Sequence, residues 1–133
     1  MLVHYVEPKF VVGIWNDLKP YVETALEHTD DYSAEQCKVF LTNGSWLLFV
    51  AVEDGVLHGM VTVFVENGVN HRTALITTIS GKGIINTDAI GQLMNILKSF
   101  GLTRVQGYAR DSLVRLYERF GLQKKANLVE FKL

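Results

Sequence analysis

The stretch from His71 to Gly101, HRTALITTISGKGIINTDAIGQLMNILKSFG, carries the residue types and spacing best suited to chemistry. It reads as an apolar strand, a glycine-punctuated turn and an amphipathic helix. Backbone N–H groups at a strand-to-helix turn can be left free to hold an anion. Ser80-Gly81-Lys82-Gly83 is that turn, and residues without Cβ let backbone approach a phosphate closely. Lys82 does not make it a nucleoside-triphosphate loop, because Ile76 and Gly83 occupy the positions that motif reserves for Gly and Ser/Thr. Lys82 reads instead as a solvated turn residue or a charge beside a bound phosphate. Arg110 and Arg115 are two further cations able to meet a phosphate or a partner surface, although isolated charges of this kind usually face solvent. Cys37, within AEQCKVFL, reads as a small core residue and not a nucleophile. His4, His28, His58 and His71 have no ligand spacing, so no metal site is expected.

These residues must be positioned by one domain spanning residues 1–133, a length sufficient for a single sizeable core. Apolar residues make up 48% and charged residues 20%, the balance of a globular chain. A net charge of −1 supplies no global field for nucleic acid or anionic membrane, so neither is an expected partner. The single cysteine excludes an internal disulfide and fits a reducing compartment. The first residues lack the basic-then-apolar order of a signal peptide, and the longest apolar run, Trp46 to Val52, is too short to span a bilayer. A soluble cytoplasmic domain is the expectation.

Leu2 to Val6 reads as a short edge strand ended by Pro8. Val11, Ile14, Trp15, Leu18, Val22, Ala25 and Leu26 recur at helical spacing between Lys9 and His28, with a kink or a junction of two helices expected at Pro20. Ser33 and Gln36 form a capping-box pattern for a second helix, which Asn43-Gly44 ends. Ser45–Val52, Val56–Glu66 and Arg72–Ile79 read as three strands of an antiparallel meander, the first buried on both faces and the first two joined at Asp54-Gly55. Asn86 or Thr87 caps the next helix, whose stripe is Ile90, Leu93, Met94 and Leu97 and whose stop is Gly101. Arg104–Ala109 reads as a strand parallel to the one before the glycine turn, reached by a right-handed crossover. Asp111 or Ser112 caps a last helix, with the stripe Leu113, Leu116, Tyr117 and Phe120, ended by Gly121. Val129, Phe131 and Leu133 alternate as a final strand. The fold class is α/β, one mixed sheet of an antiparallel meander plus a parallel β-α-β crossover, flanked by helices.

This order resembles the GNAT superfamily of acyl-CoA N-acyltransferases across nearly the whole chain. Arg110 to Leu122, RDSLVRLYERFGL, is similar to the family's fourth-helix pattern, with Leu116, Tyr117, Glu118 and Gly121 in register. Arg110, Leu113 and Leu122 stand where the family usually has Asn, Ala and Phe. Thr78-Ile79-Ser80-Gly81-Lys82-Gly83 is similar to the pyrophosphate loop, keeping both glycines with Thr78 in place of Arg or Gln. Ile14-Trp15, Pro20 to Leu26 and Gly107 to Leu116 further resemble a phage-encoded branch found among virion genes of tailed phages.

The resemblance implies an N-acetyltransferase that binds acetyl-CoA on Ile79, Ser80, Gly81, Lys82 and Gly83 with Arg110, and transfers acetyl to a small-molecule or protein amine. It gives Tyr117 the role of acid for the leaving thiolate, since a phenol with a pKa of about 10 can protonate one. The plain structural reading is a Tyr117 ring packed in the helix stripe with its hydroxyl at the surface. No carboxylate lies on the strand before the glycine turn; Glu53, Glu66 and His71 are the nearest titratable candidates for a base, and all sit at expected turns. The second reading is a catalytically degenerate GNAT-like protein acting through contacts with phage structural or host proteins, in the host cytoplasm or the virion. An exposed edge strand allows a homodimer in either case.

Overall fold

The computed structural model describes residues 1–133 and builds one five-stranded sheet in the order β1-β2-β3-β4-β5. The strands are β1 Leu2–Val6, β2 Trp46–Glu53, β3 Val56–Asn67, β4 Arg72–Ser80 and β5 Arg104–Gly107. Pairing is antiparallel from β1 through β4 and parallel between β4 and β5. The helices are α1 Val11–Ala25, α2 Ala34–Thr42, α3 Thr87–Ser99 and α4 Asp111–Arg119, with a single 3-10 turn at Pro8–Phe10. This is the expected GNAT-like α/β architecture.

Alternation on the strands sends side chains into two separate cores, one on each face of the sheet. On one face Phe49, Ala51, Val61, Val63 and Ala74 meet Ala89, Leu93 and Leu97 of α3. On the other, Leu48, Val50 and Met60 meet Trp15, Leu18 and Val22 of α1 and Cys37 and Leu41 of α2. Strand β2 feeds both cores, which explains its nearly unbroken apolar run.

Local signals set several element ends. Asp54 and Gly55 both take positive φ, 52° and 75°, so the β2–β3 hairpin closes through a turn of the type this pair favours. Ser33 Oγ accepts from the Gln36 amide while Gln36 Oε1 accepts from the Ser33 amide, completing the capping box of α2. Asn86 caps α3 by accepting from the Ala89 amide at 2.8 Å.

Four expectations are corrected. Helix α1 continues through Pro20 as one helix and not two, because both Pro20 and Asn16 are exposed and water can satisfy the Asn16 carbonyl that the proline leaves free. Strand β5 ends at Gly107, two residues early. The N-cap of α4 is Arg110, without a side-chain cap bond, and Asp111 lies inside the first turn. Residues 122–133 form no strand: Val129, Phe131 and Leu133 alternate as a strand would, yet no strand of the sheet pairs with them and all three are exposed.

Burial among the α1–α2 apolar residues pushes the Cys37 thiol up to about 11. An unfolded thiol ionises near pH 9 while the native one stays neutral. The contribution is therefore whole below that pH and is lost as pH rises toward 11, on the order of 2 kcal/mol in all. Urea midpoints of the wild type should fall between pH 9 and 10, and Cys37→Ala, less stable at neutral pH, should show a shallower slope there. Equal slopes would refute the assignment.

Candidate active site

Two features coincide where β4 parts from β5 while staying paired with β3. The β3–β4 register slips between Thr62 and Val63: Thr62 pairs with Thr78 and Val63 with Ile76, so Thr77 is an unpaired bulge residue. The parallel ladder with β5 ends at the same point, at Ile76 opposite Gly107. From Thr77 to Ser80 the β5-facing edge of β4 therefore has no strand beside it.

Three threonines line the bulge on the α1–α2 face. Thr62 is fully buried and Thr78 nearly so, while Thr77 is half-buried. Thr62 Oγ1 lies 2.7 Å from Thr77 Oγ1 and 2.6 Å from Thr78 Oγ1, and Thr78 Oγ1 donates to Met60 Sδ at 3.5 Å. No buried side-chain polar atom lacks a partner, so the hydroxyls satisfy one another in an otherwise apolar layer.

The glycine turn packs against α1 and β3. Ser80 is the last residue of β4 and its Oγ donates to the Tyr21 carbonyl oxygen of α1 at 2.6 Å. The Gly83 amide donates to the His58 carbonyl oxygen of β3 at 2.9 Å. A Cβ on Gly81 would lie 2.5 Å from Gly59 Cα and 2.6 Å from the His58 carbonyl oxygen; one on Gly83 would lie 2.7 Å from that oxygen. The missing Cβ atoms thus let the turn lie flat on the backbone of β3. Lys82 is exposed beside it, and Ile79 is half-buried next to the core around α3.

The helix itself begins four residues after Gly83, at Thr87. The amides of Thr87 and Asp88 donate to no protein acceptor, as the first turn of a helix requires. Asp88 places its carboxylate on the Gln92 side-chain amide at 3.0 Å. Gln92 in turn donates to the Met1 carbonyl oxygen and accepts from the Val3 amide, tying this helix end to β1.

Tyr117 lies on α4, the helix that follows β5, seven residues beyond Arg110 and on the same helix face. Burial raises the pKa of its phenol, and the nearby Arg110 guanidinium opposes that shift. Arg110 itself is exposed. No residue of α4 is fully buried; Leu113, Val114, Leu116, Tyr117 and Phe120 are all half-covered. Glu53, Glu66 and His71 are exposed. Glu66 shares the Thr62 face of β3 but lies four residues on, roughly 13 Å away along the strand.

Gly59, Thr62 and the Thr87–Asp88 amides escaped the sequence reading. Gly59 had a signal, since a lone glycine inside the strand pattern VLHGMVTV marks close backbone approach. Thr62 had a weaker one, a hydroxyl on the core-facing alternation.

A cleft faces the corner between α1 and α2, with a volume of about 390 Å³ and Glu23, Tyr32 and Glu35 in its lining. Residues 23–35 of this corner hold five carboxylates, and Lys19 of α1 lines the cleft with them. The Lys132 ammonium of the C-terminal segment pairs there with Asp30, lowering the Asp30 pKa and raising its own.

No protein-family model matches the sequence, and no curated protein matches it in sequence. Solved structures do match the fold. An aminoglycoside acetyltransferase from an uncultured soil metagenomic sample, in complex with sisomicin, superposes with a TM-score of 0.74 at 14% identity, covering 99% of this chain and 94% of that one. A predicted acetyltransferase of Clostridium acetobutylicum, solved with acetyl-CoA, gives 0.69 at 13% identity over 98% and 95% of the two chains. The aminoglycoside 6'-N-acetyltransferase of Acinetobacter baumannii gives 0.71 at 16% identity over 99% and 97%.

Proposed function

We propose that this protein is an N-acetyltransferase that uses acetyl-CoA and acts on a cationic amine. The observation that carries this reading is the opening of β4 away from β5 at the Thr77 bulge, in a fold shared with acetyltransferases. The residues fit acetyl-CoA through two features: the strand-free edge of β4 from Thr77 to Ser80, and the undonated Thr87 and Asp88 amides at the positive end of α3. Lys82 and Arg110 supply exposed cations for its phosphates. The backbone of Ile79, Ser80, Gly81 and Gly83 continues from that open edge toward α3, with the Gly83 amide already spent on His58.

When bound, acetyl-CoA supplies a thioester carbonyl carbon as electrophile. The substrate ammonium would lose one proton to water to become a nucleophile and a second as the C–N bond replaced the C–S bond, and Tyr117 would be the acid that protonates the departing sulfur. Tyr117 then recovers a proton from solvent. Its raised pKa keeps the phenol protonated through the physiological range, as an acid must be. The carboxylates around the α1–α2 cleft attract the ammonium form of the amine, in the way Asp30 already attracts Lys132.

Titration with acetyl-CoA by calorimetry tests the reading. Binding in the micromolar to millimolar range is the expected outcome, and absence of heat at millimolar cofactor would end it. A second reading, a protein acting by contacts in a phage particle or on a host partner, draws on Val129, Phe131 and Leu133, which stand exposed in the C-terminal segment. Co-purification with phage particles would support that reading.

A further inference from the structure

Ser80 closes β4 at the head of the glycine turn, and its side chain is already spent. It is buried, and its Oγ donates to the Tyr21 carbonyl oxygen of α1 at 2.6 Å. A carbonyl only accepts, so the single hydroxyl proton is committed to Tyr21 and none remains for a phosphate oxygen. The Tyr21 phenol donates in turn to the Leu57 carbonyl oxygen of β3 at 3.0 Å. A Cβ on Gly81 would lie 2.9 Å from the Tyr21 ring at Cε1, so the bare glycine also makes room for that ring. Tyr21 thus fixes α1 to the end of β4 and to β3 at once.

At this level α1 forms one wall of the α1–α2 cleft. Lys19, Glu23 and Leu26 line it, opposite the segment from Tyr32 to Glu35. Tyr21 lies midway between Lys19 and Glu23 in sequence and roughly 160° around the helix from both, so the face pinned to the sheet backs the face that lines the cleft. Leu18 and Val22 also press α1 onto the sheet, but apolar contact is non-directional and does not fix how far a helix slides or turns. Pro20, beside Tyr21, has no N–H, so the ladder of the helix lacks a rung at the same place. The two directional bonds of Tyr21 are what set the position of Lys19 and Glu23. We propose that Ser80 is a positioning residue for the acceptor amine, acting through Tyr21 to hold the α1 wall of the cleft, and not through a side-chain bond to acetyl-CoA. This rests on the acetyltransferase reading above and gives the strand end of the glycine turn a task on the acceptor side.

Spermidine, a linear triamine, serves as probe for the cofactor-free protein by calorimetry at low ionic strength, with acetyl-CoA titrated separately. Ser80→Ala removes the bond to Tyr21 and should weaken spermidine binding about fivefold, while the acetyl-CoA affinity stays within about twofold. Ser80→Thr keeps the hydroxyl and should return spermidine to its wild-type affinity. Tyr21→Phe leaves Ser80 and the turn untouched and removes only the bond to Leu57. It should weaken spermidine about threefold, again with no change toward acetyl-CoA. Wild-type spermidine affinity in Ser80→Ala overturns the proposal even where urea unfolding finds that variant less stable, because the bond would then serve the fold alone. An acetyl-CoA affinity that falls in Ser80→Ala also overturns it and returns the side chain to the cofactor. Wild-type spermidine affinity in Tyr21→Phe, or a Ser80→Thr protein as weak as Ser80→Ala, overturns the link through Tyr21. Absence of spermidine binding by the wild type at millimolar concentration overturns the cleft as an amine site and the proposal with it. Loss of acetyl-CoA binding in every protein would sink the acetyltransferase reading instead, and the spermidine titrations would still decide Ser80.

Discussion

Gly81→Ala should destabilise the protein by about 3 to 5 kcal/mol, a large share of the roughly 5 to 15 kcal/mol that holds a domain together. Two costs add. Gly81 has φ of +100°, a conformation that a Cβ disfavours. The new methyl carbon would also lie 2.5 Å from Gly59 Cα, 2.6 Å from the His58 carbonyl oxygen and 2.9 Å from Tyr21 Cε1. Two of those three atoms are backbone of β3, where Gly59 pairs with Ala51 and the His58 carbonyl accepts from Gly83, and backbone so held cannot shift cheaply. Urea unfolding measures the loss, with Gly13→Ala as control: it meets nothing within 4 Å and lies in the first turn of α1, where alanine should add a few tenths of a kcal/mol. A Gly81→Ala protein of wild-type stability, with only its acetyl-CoA affinity reduced, would mean that the glycine serves a ligand and not the β3 backbone.

The same turn shows where sequence reading reaches its limit. Asp54-Gly55, Ser33 with Gln36, and Asn86 each act on backbone within three residues, so their roles are readable from local sequence. Gly81 and Gly83 announce close approach just as clearly, but the approaching groups are His58 and Gly59, more than twenty residues earlier, and two glycines look alike whether they face a phosphate or a strand. Pro20 failed as a break because exposure of Asn16, a property of the folded helix, decides whether a lost bond matters. The alternation of Val129, Phe131 and Leu133 failed as a strand because pairing needs a free edge, and nothing in the segment says whether one is near. The bulge at Thr77 depends on the relative register of β3 and β4, which neither strand encodes alone. Tyr117 is intermediate: the helix stripe predicted its partial burial, and the raised pKa follows from that burial.

Tyr117→Phe should lower kcat by about a hundredfold or more, the usual worth of a positioned acid, while the acetyl-CoA affinity stays within about twofold. The substitution keeps the ring and its packing on α4, so folding is not at issue. The pH profile sharpens the test. An acid works only while protonated, and burial lifts the Tyr117 pKa above the ordinary phenol value of about 10. Wild-type kcat should therefore hold through pH 9 and fall only on an alkaline limb above pH 10, and that limb should vanish in Tyr117→Phe. Arg110 opposes the burial shift by favouring the phenolate. Arg110→Ala should consequently move the limb to still higher pH, even though it removes a positive charge from the cofactor side. A limb that moves down, or a Tyr117→Phe enzyme with undiminished turnover, would place the acid elsewhere and leave Tyr117 as a packed residue of the helix.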